Sequence, residues 1–434
     1  MNPAARLAAA VEVVADIEAR RRPANDVLKD WGLSHRFAGS SDRAAIAGLV
    51  YDALRRKSSS AWLMGDNSPR AVLLGMLRQE RGLDAGEVEK LCSGARFAPP
   101  PLTAAEQSAL AADNLAGAPA HVLGDYPEWL DPYFSRVFGD DRAAEGAALA
   151  RRAPLDLRVN TLRAERDEVE PKLEHLHAEP TPWSPIGLRI RLSADAKNPA
   201  IHAEPAFLKG TVEVQDEASQ LSALFAGAKP GEQVADLAAG AGGKTLALAA
   251  AMDNRGQLYA TDISKRQLAP IHERIARAGV RNVQVRTPRG TEDALTDLNG
   301  RIDLVLIDAP CTGIGAWRRN PDAKWRVRPG ALEERLAQQQ TLLDRAAALV
   351  KPGGRIAYVT CSVLGEENGA QVRDFLARHP DFMGVPPREL ATAVLGERAE
   401  SFCAAALTSP EGMLMTPRRT DTDGFYVALM QAPD

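Results

Sequence analysis

Two cysteines stand where a nucleophile is useful. Cys311 follows the apolar run IDLVLIDAP in the stretch DAPCTGIG, and Cys361 follows RIAYV in the stretch TCS. Both runs read as buried strands of a parallel sheet. That places both thiols at strand carboxyl ends, the edge where such sheets bind ligands. One buried cysteine is usually a small hydrophobe. Two at the same edge suit covalent catalysis, in which one group attacks and a second moves a proton. A free thiol titrates at about 8.5, so an attacking thiolate at this edge needs an electropositive setting, which Lys244 or a nearby arginine can supply.

The stretch ADLAAGAGGKT joins an apolar strand to a helix through Gly240, Gly242 and Gly243, whose missing side chains let a ligand approach the backbone near a helix N-terminus. The spacing is neither the dinucleotide GxGxxG nor a P-loop, which would need a glycine where Ala238 stands. Ala238, Ala239, Gly240, Ala241, Gly242, Gly243 and Lys244 read instead as a cradle for another nucleoside-bearing cofactor. Asp262 ends the next strand, LYATD, where an acid accepts hydrogen bonds from a ribose diol. Asp308 borders the same edge.

After Cys311 the chain turns basic and aromatic. Arg318, Arg319, Lys324, Arg326 and Arg328 stand against the single acid Asp322, with Trp317 and Trp325 among them. Cations for phosphates and rings for bases suit single-stranded nucleic acid. A solvated, partly buried loop is the competing reading.

These residues need a scaffold. From about Gly231, short apolar runs alternate with helical segments, the mark of a doubly wound parallel α/β sheet over 226–434. Residues 150–225 read as a small α+β module built around LDLRVNTL and LRIRL, and 1–145 as an all-helical domain. With 45% hydrophobic and 25% charged residues, disorder is excluded. Glu12, Asp16 and Glu18 interrupt the first apolar stretch, which therefore reads as an amphipathic helix and not a signal peptide. No run approaches the roughly 18 apolar residues of a membrane span, and a cytoplasmic location is expected. The four cysteines include no CxxC pair, so neither a metal site nor a disulfide framework is expected. The net charge of −4 gives no global sign of a polyanionic partner.

DAPCTGIG with the downstream RRNPDAKW, YVTCSVLGEEN, the loop ending GGKT and the terminal TDGFYVALM together resemble the RNA cytosine carbon-5 methyltransferases of the NOL/NOP/Sun type, most closely their bacterial 16S ribosomal RNA branch. The resemblance covers nearly the whole chain. The helical region, with DRAAIAGLVYDALRRK, is similar to NusB-type RNA-binding domains. The family resemblance implies a Rossmann-like class I methyltransferase domain, S-adenosylmethionine held by Ala238 to Lys244, Asp262 and Asp308, and ribosomal RNA as partner; the oligomeric state stays open, with a monomer favoured. It also implies that Cys361 attacks carbon 6 of cytosine, Cys311 assists product release, and Asp308 engages nitrogen 3. Arg158 and Asn160 match a motif of the family's small module, as RNA contacts or as structural ties.

Two departures stand out. Ala241 replaces a usual proline in the glycine loop, and VRTPRG brings Thr287 and Pro288 where an acid usually contacts adenine. Two rival readings follow. One is an enzyme that methylates an exocyclic nitrogen, which needs no cysteine pair. The other is an RNA-binding assembly factor without activity.

Overall fold

The computed structural model describes residues 1–192, 199–288 and 293–434, and these form two compact units. Among the described residues, the first unit comprises 1–152 and Trp317–Val327. It carries ten α-helices, from Pro3–Arg20 to Arg142–Ala150. Their starts are written locally. Asn2 accepts the Ala5 N–H ahead of Pro3, Ser68 accepts the Ala71 N–H ahead of Pro69, and Asp84 and Thr103 form reciprocal caps with Glu87 and Glu106. The apolar stripes of these helices meet in a core that includes Leu7, Val14, Ile46, Val50, Leu73 and Leu77.

The second unit holds two sheets. Strands β1 (Leu155–Val159), β2 (Glu179–Pro180), β3 (Gly187–Ile190) and β4 (Val212–Val214) form an antiparallel sheet in the order β2-β3-β1-β4. The larger sheet is built from β5 (Gln233–Asp236), β6 (Gln257–Ala260), β7 (Val283–Val285), β8 (Ile302–Asp308), β9 (Val350–Thr360), β10 (Met383–Gly384), β11 (Leu407–Ser409), β12 (Gly412–Met415) and β13 (Phe425–Gln431). Its order is β11-β12-β13-β9-β8-β5-β6-β7, with β10 on β13. Strands β5 to β9 pair in parallel, and β13 adds to β9 in antiparallel.

Burial on both faces of the sheet explains the apolar runs LVLI of β8 and IAYV of β9. From β5 the chain moves outward to β6 and β7, then returns to β8 on the other side. The order therefore reverses between β5 and β8, and a crevice opens at such a switch point, outside the strand carboxyl ends.

Candidate active site

Three acids close three neighbouring strands at that edge. Asp236 ends β5, Asp262 follows β6, and Asp308 ends β8. Between β5 and the helix Gly243–Ala251 the chain turns at Gly240 and Gly242, with φ of +51° and +87°. A Cβ on Gly242 would lie 2.5 Å from Ile271 Cγ1, so this turn admits no side chain. Asp262 accepts the Gly240 N–H at 2.9 Å and the Ser264 N–H at 2.7 Å, which locks the loop onto the end of β6. Ile263, beside it, is 80% exposed, and an apolar side chain so placed suits the face of a purine.

Lys244 leaves the first turn of that helix and donates to Asp308 at 2.7 Å while its ammonium sits 4.8 Å from the Phe425 ring centroid. Asp236 accepts the Thr245 hydroxyl at 2.7 Å, but its other carboxylate oxygen is buried without a partner. Burial, with the charge of Asp308 adding to it, pushes this carboxyl up to about 7. The positive-φ glycine cradle, the unpartnered buried oxygen and the strand-end acids fit an amino-acid-bearing nucleoside.

The two cysteines meet. Cys311 and Cys361, on the loops after β8 and β9, are free thiols with their sulfurs 3.3 Å apart, both half-buried. The Cys311 thiol is pushed well up, first by the hydrogen bond it shares with Cys361, then by burial and by the charges of Cys361 and Glu367. Lys244, expected as an electropositive neighbour of Cys361, gives its hydrogen bond to Asp308.

The terminal motif TDGFYVALM completes the surroundings. Gly315 donates its N–H to the Cys361 carbonyl, and Gly424 donates to the Gly315 carbonyl, each at 2.9 Å. A Cβ on Gly315 would lie 1.9 Å from the Gly424 oxygen, so two glycines are required where the backbones touch. Gly424, Phe425, Ile263 and Glu367 escaped the sequence reading. The pattern shows each as an ordinary loop or strand residue, and only the paired backbones reveal what each faces.

The residues expected to touch RNA divide. Lys324 is 1% exposed, and its ammonium donates to the carbonyls of Arg55 and Asp125 at 2.8 and 2.7 Å. Burial lowers its pKa to about 7. Arg318 is also buried, and its carbonyl accepts from Arg55. Trp317 stacks near Phe134, and Trp325 packs against the helical core and donates to the Leu54 carbonyl. In place of phosphate contacts, Lys324, Trp317 and Trp325 tie the loop into the helical unit. Arg319 is half-buried, whereas Arg326, paired with Asp322, and Arg328 are exposed.

Arg158 is buried and donates to Gln215, and Asn160 donates to the carbonyls of Gly210 and Ala278. Both act as ties within the second unit. Of VRTPRG, Thr287 and Pro288 follow β7, and 289–290 lie outside the described residues. Among the described residues no cluster of His, Cys, Asp and Glu is placed to hold a metal, and no helix is long and apolar enough to cross a membrane.

Comparison with known proteins agrees with this geometry. The family model described as 16S rRNA methyltransferase RsmB/F matches residues 223–431, and the RsmF/B-like ferredoxin-like domain matches 126–196. A probable ribosomal RNA small subunit methyltransferase B of Synechocystis is 28% identical over 94% of this chain and 95% of its own length. The ribosomal RNA small subunit methyltransferase B of Vibrio vulnificus is 31% identical over 72% of this chain and 68% of its own. Among solved structures, the protein PH0851 superposes with a TM-score of 0.70 at 26% identity, covering 99% of both chains. The chain belongs to the RsmB/F family of 16S rRNA methyltransferases, Rossmann-like enzymes that draw their methyl group from S-adenosylmethionine.

Proposed function

We propose that this protein methylates carbon 5 of a cytosine in 16S ribosomal RNA through a transient bond between Cys361 and carbon 6 of the base. The observation that carries this reading is the pair of sulfurs 3.3 Å apart at the ends of adjacent parallel strands, beside the Lys244–Asp308 ion pair. Methylation of an exocyclic nitrogen has no use for such a pair.

The cradle from Ala238 to Lys244, with Asp262, holds S-adenosylmethionine, which supplies an electrophilic methyl group. Carbon 5 of cytosine is too weak a nucleophile to take it unaided. The Cys361 thiolate adds to carbon 6, breaking the 5,6 double bond and making carbon 5 enamine-like. Asp308, entering as the carboxylic acid, gives its proton to nitrogen 3 and so neutralises the charge that gathers on the ring; Lys244 holds the carboxylate left behind, which takes the proton back on elimination. After methyl transfer, the carbon 5 proton passes to the Cys311 thiolate, the double bond re-forms, and the bond from carbon 6 to Cys361 breaks to release its thiolate.

The electrostatics give an order to these steps. While the Cys361 sulfur is close and free, the shared hydrogen bond and its charge keep Cys311 protonated. Once Cys361 is bonded to carbon 6, that charge is gone, and Cys311 can release its proton to solvent and serve as base. Because carbon 6 must reach a thiol, the target base is unstacked from its neighbours.

Bisulfite sequencing of ribosomal RNA from cells with and without the gene tests the reading. One 5-methylcytosine in 16S RNA should disappear. An unchanged pattern, with methyl transfer by the purified protein to another atom, overturns it.

A further inference from the structure

The residues on both sides of both cysteines are held by Glu367 and Asn368, adjacent in the chain, together with Gln339. Glu367, in YVTCSVLGEEN, is fully buried. One of its carboxylate oxygens accepts the Thr312 N–H at 2.8 Å and the other accepts the Thr312 hydroxyl at 2.5 Å. Gln339, also fully buried, lies on the helix Pro329–Leu349 and donates to Glu367 at 3.1 Å and to the Pro310 carbonyl at 3.0 Å. Residues 310 and 312, which flank Cys311, are thus both fixed.

Asn368 treats Cys361 in the same way. It accepts the Thr360 hydroxyl at 2.5 Å and donates to the Ser362 carbonyl at 3.0 Å. Tyr358, on β9, donates to the Glu367 carbonyl at 2.7 Å and seats the dipeptide.

We propose that Glu367 and Asn368 act as a caliper: a positioning pair that fixes the flanks of Cys311 and Cys361 separately and so sets the spacing and the division of labour between the two thiols. The inference rests on the covalent mechanism proposed above. The two arms differ in charge. The carboxylate faces only the Cys311 loop, and its charge adds to the upward push on that thiol, whereas the amide of Asn368 is neutral. The other influences on Cys311 are the Cys361 sulfur, burial and the Gly313 N–H, which pulls the other way, while the Tyr358 hydroxyl feels Cys311 in turn. Glu367 therefore helps Cys311 remain a thiol until Cys361 has attacked.

The test uses the full chain with Glu367→Gln, Asn368→Ala and Thr312→Val. The last removes the hydroxyl bond to the carboxylate, with the 3.4 Å contact to the Ser362 hydroxyl, and leaves Glu367 itself in place. Iodoacetamide labelling of each cysteine across pH, read by peptide mass spectrometry, needs neither RNA nor cofactor. In Glu367→Gln, Cys311 should label at lower pH than in wild type, with Cys361 little changed. In methylation assays kcat should fall by about tenfold or more, as for a buried hydrogen bond to a charged group, with KM for RNA unchanged. Covalent protein–RNA complex should accumulate, because a Cys311 that is less basic and loosely held at Thr312 takes the carbon 5 proton more slowly. Thr312→Val should show the same split more weakly. Asn368→Ala should slow adduct formation instead, with no accumulation.

Superimposable labelling curves for wild type and folded Glu367→Gln, with activity tracking thermal stability alone, would make Glu367 a core residue and overturn the caliper. A folded Thr312→Val without any shift toward the trapped complex would do the same. If wild type forms no adduct at all while the labelling shift is present, the mechanism fails and the caliper geometry stands.

Discussion

Two consecutive stretches of one segment, Asp308–Ala316 and Trp317–Val327, look equally functional in the sequence and turn out opposite. The first ends a central strand and presents an acid and a half-buried thiol at the ligand edge. The second carries the denser charge, yet its Trp317, Arg318 and Lys324 are interior side chains of the helical unit. A strand end dictates where its residue points, because the pairing partners fix it on both sides. A loop cation is under no such constraint. It can lie in water beside a phosphate, or be buried when backbone carbonyls stand ready to accept its protons, as those of Arg55 and Asp125 do for Lys324. Residue type reports chemistry, and only pairing reports position.

The largest effect that tests this contrast is at the thiols. Cys361→Ala should lower methylation by about a thousandfold or more and form no covalent complex, whereas Cys311→Ala should trap protein on RNA as a slower band on a denaturing gel. The double variant should trap nothing. Trapping by Cys361→Ala alone would reverse the roles of the two sulfurs.

At the cofactor edge, Asp262→Ala should weaken S-adenosylmethionine binding by roughly tenfold to a hundredfold in calorimetry, the scale of a hydrogen bond to a charged group. Equal affinities in the two proteins would remove Asp262 from the site and leave it as a loop lock, through its bonds to Gly240 and Ser264.

Lys324→Met should cost about 1–3 kcal/mol of stability, because two buried carbonyls lose their donor. The pH dependence has a definite sign. The folded-state pKa of Lys324 is depressed to about 7, below the unfolded value near 10.4, so between those values the unfolded chain binds more protons and stability rises with pH. Denaturant midpoints of wild type should gain on those of Lys324→Met from pH 7 to 9. Parallel curves would show that the lysine is in water, and the contrast between the two stretches would collapse.

The smallest effect concerns the exposed cations. Arg326→Ala with Arg328→Ala should reduce the slope of log affinity against log salt by about 0.7 for each phosphate lost, with cofactor affinity unchanged. An unaltered slope would withdraw these two arginines from RNA as well.

The alternation of strands and helices, the glycine turn and the strand-end placement of Asp262, Asp308, Cys311 and Cys361 were legible because each follows from local period and local turn chemistry. The antiparallel addition of β13 beside β9 was not, since strand order is set by packing over long separations and leaves no local mark. Asn160 illustrates the same boundary. Its LRVN neighbourhood was equally compatible with RNA or with a tie, and its bonds to Gly210 and Ala278, remote in sequence, decide for the tie. Glu367 looked like one acid in a polar loop, and nothing in GEEN distinguishes it from the neighbouring Glu366.

The contact between Gly315 and Gly424 has a consequence for how the protein comes into being. The loop that carries Cys311 leans on a backbone made more than a hundred residues later, and Lys244 has its ring, Phe425, on that same late segment. Once Cys361 has been made and until Gly424 follows, a ribosome translating this chain holds a polypeptide with both thiols and an unfinished site. The Cys311 loop gains its support from Gly424 only once the stretch around β13 has paired with β9.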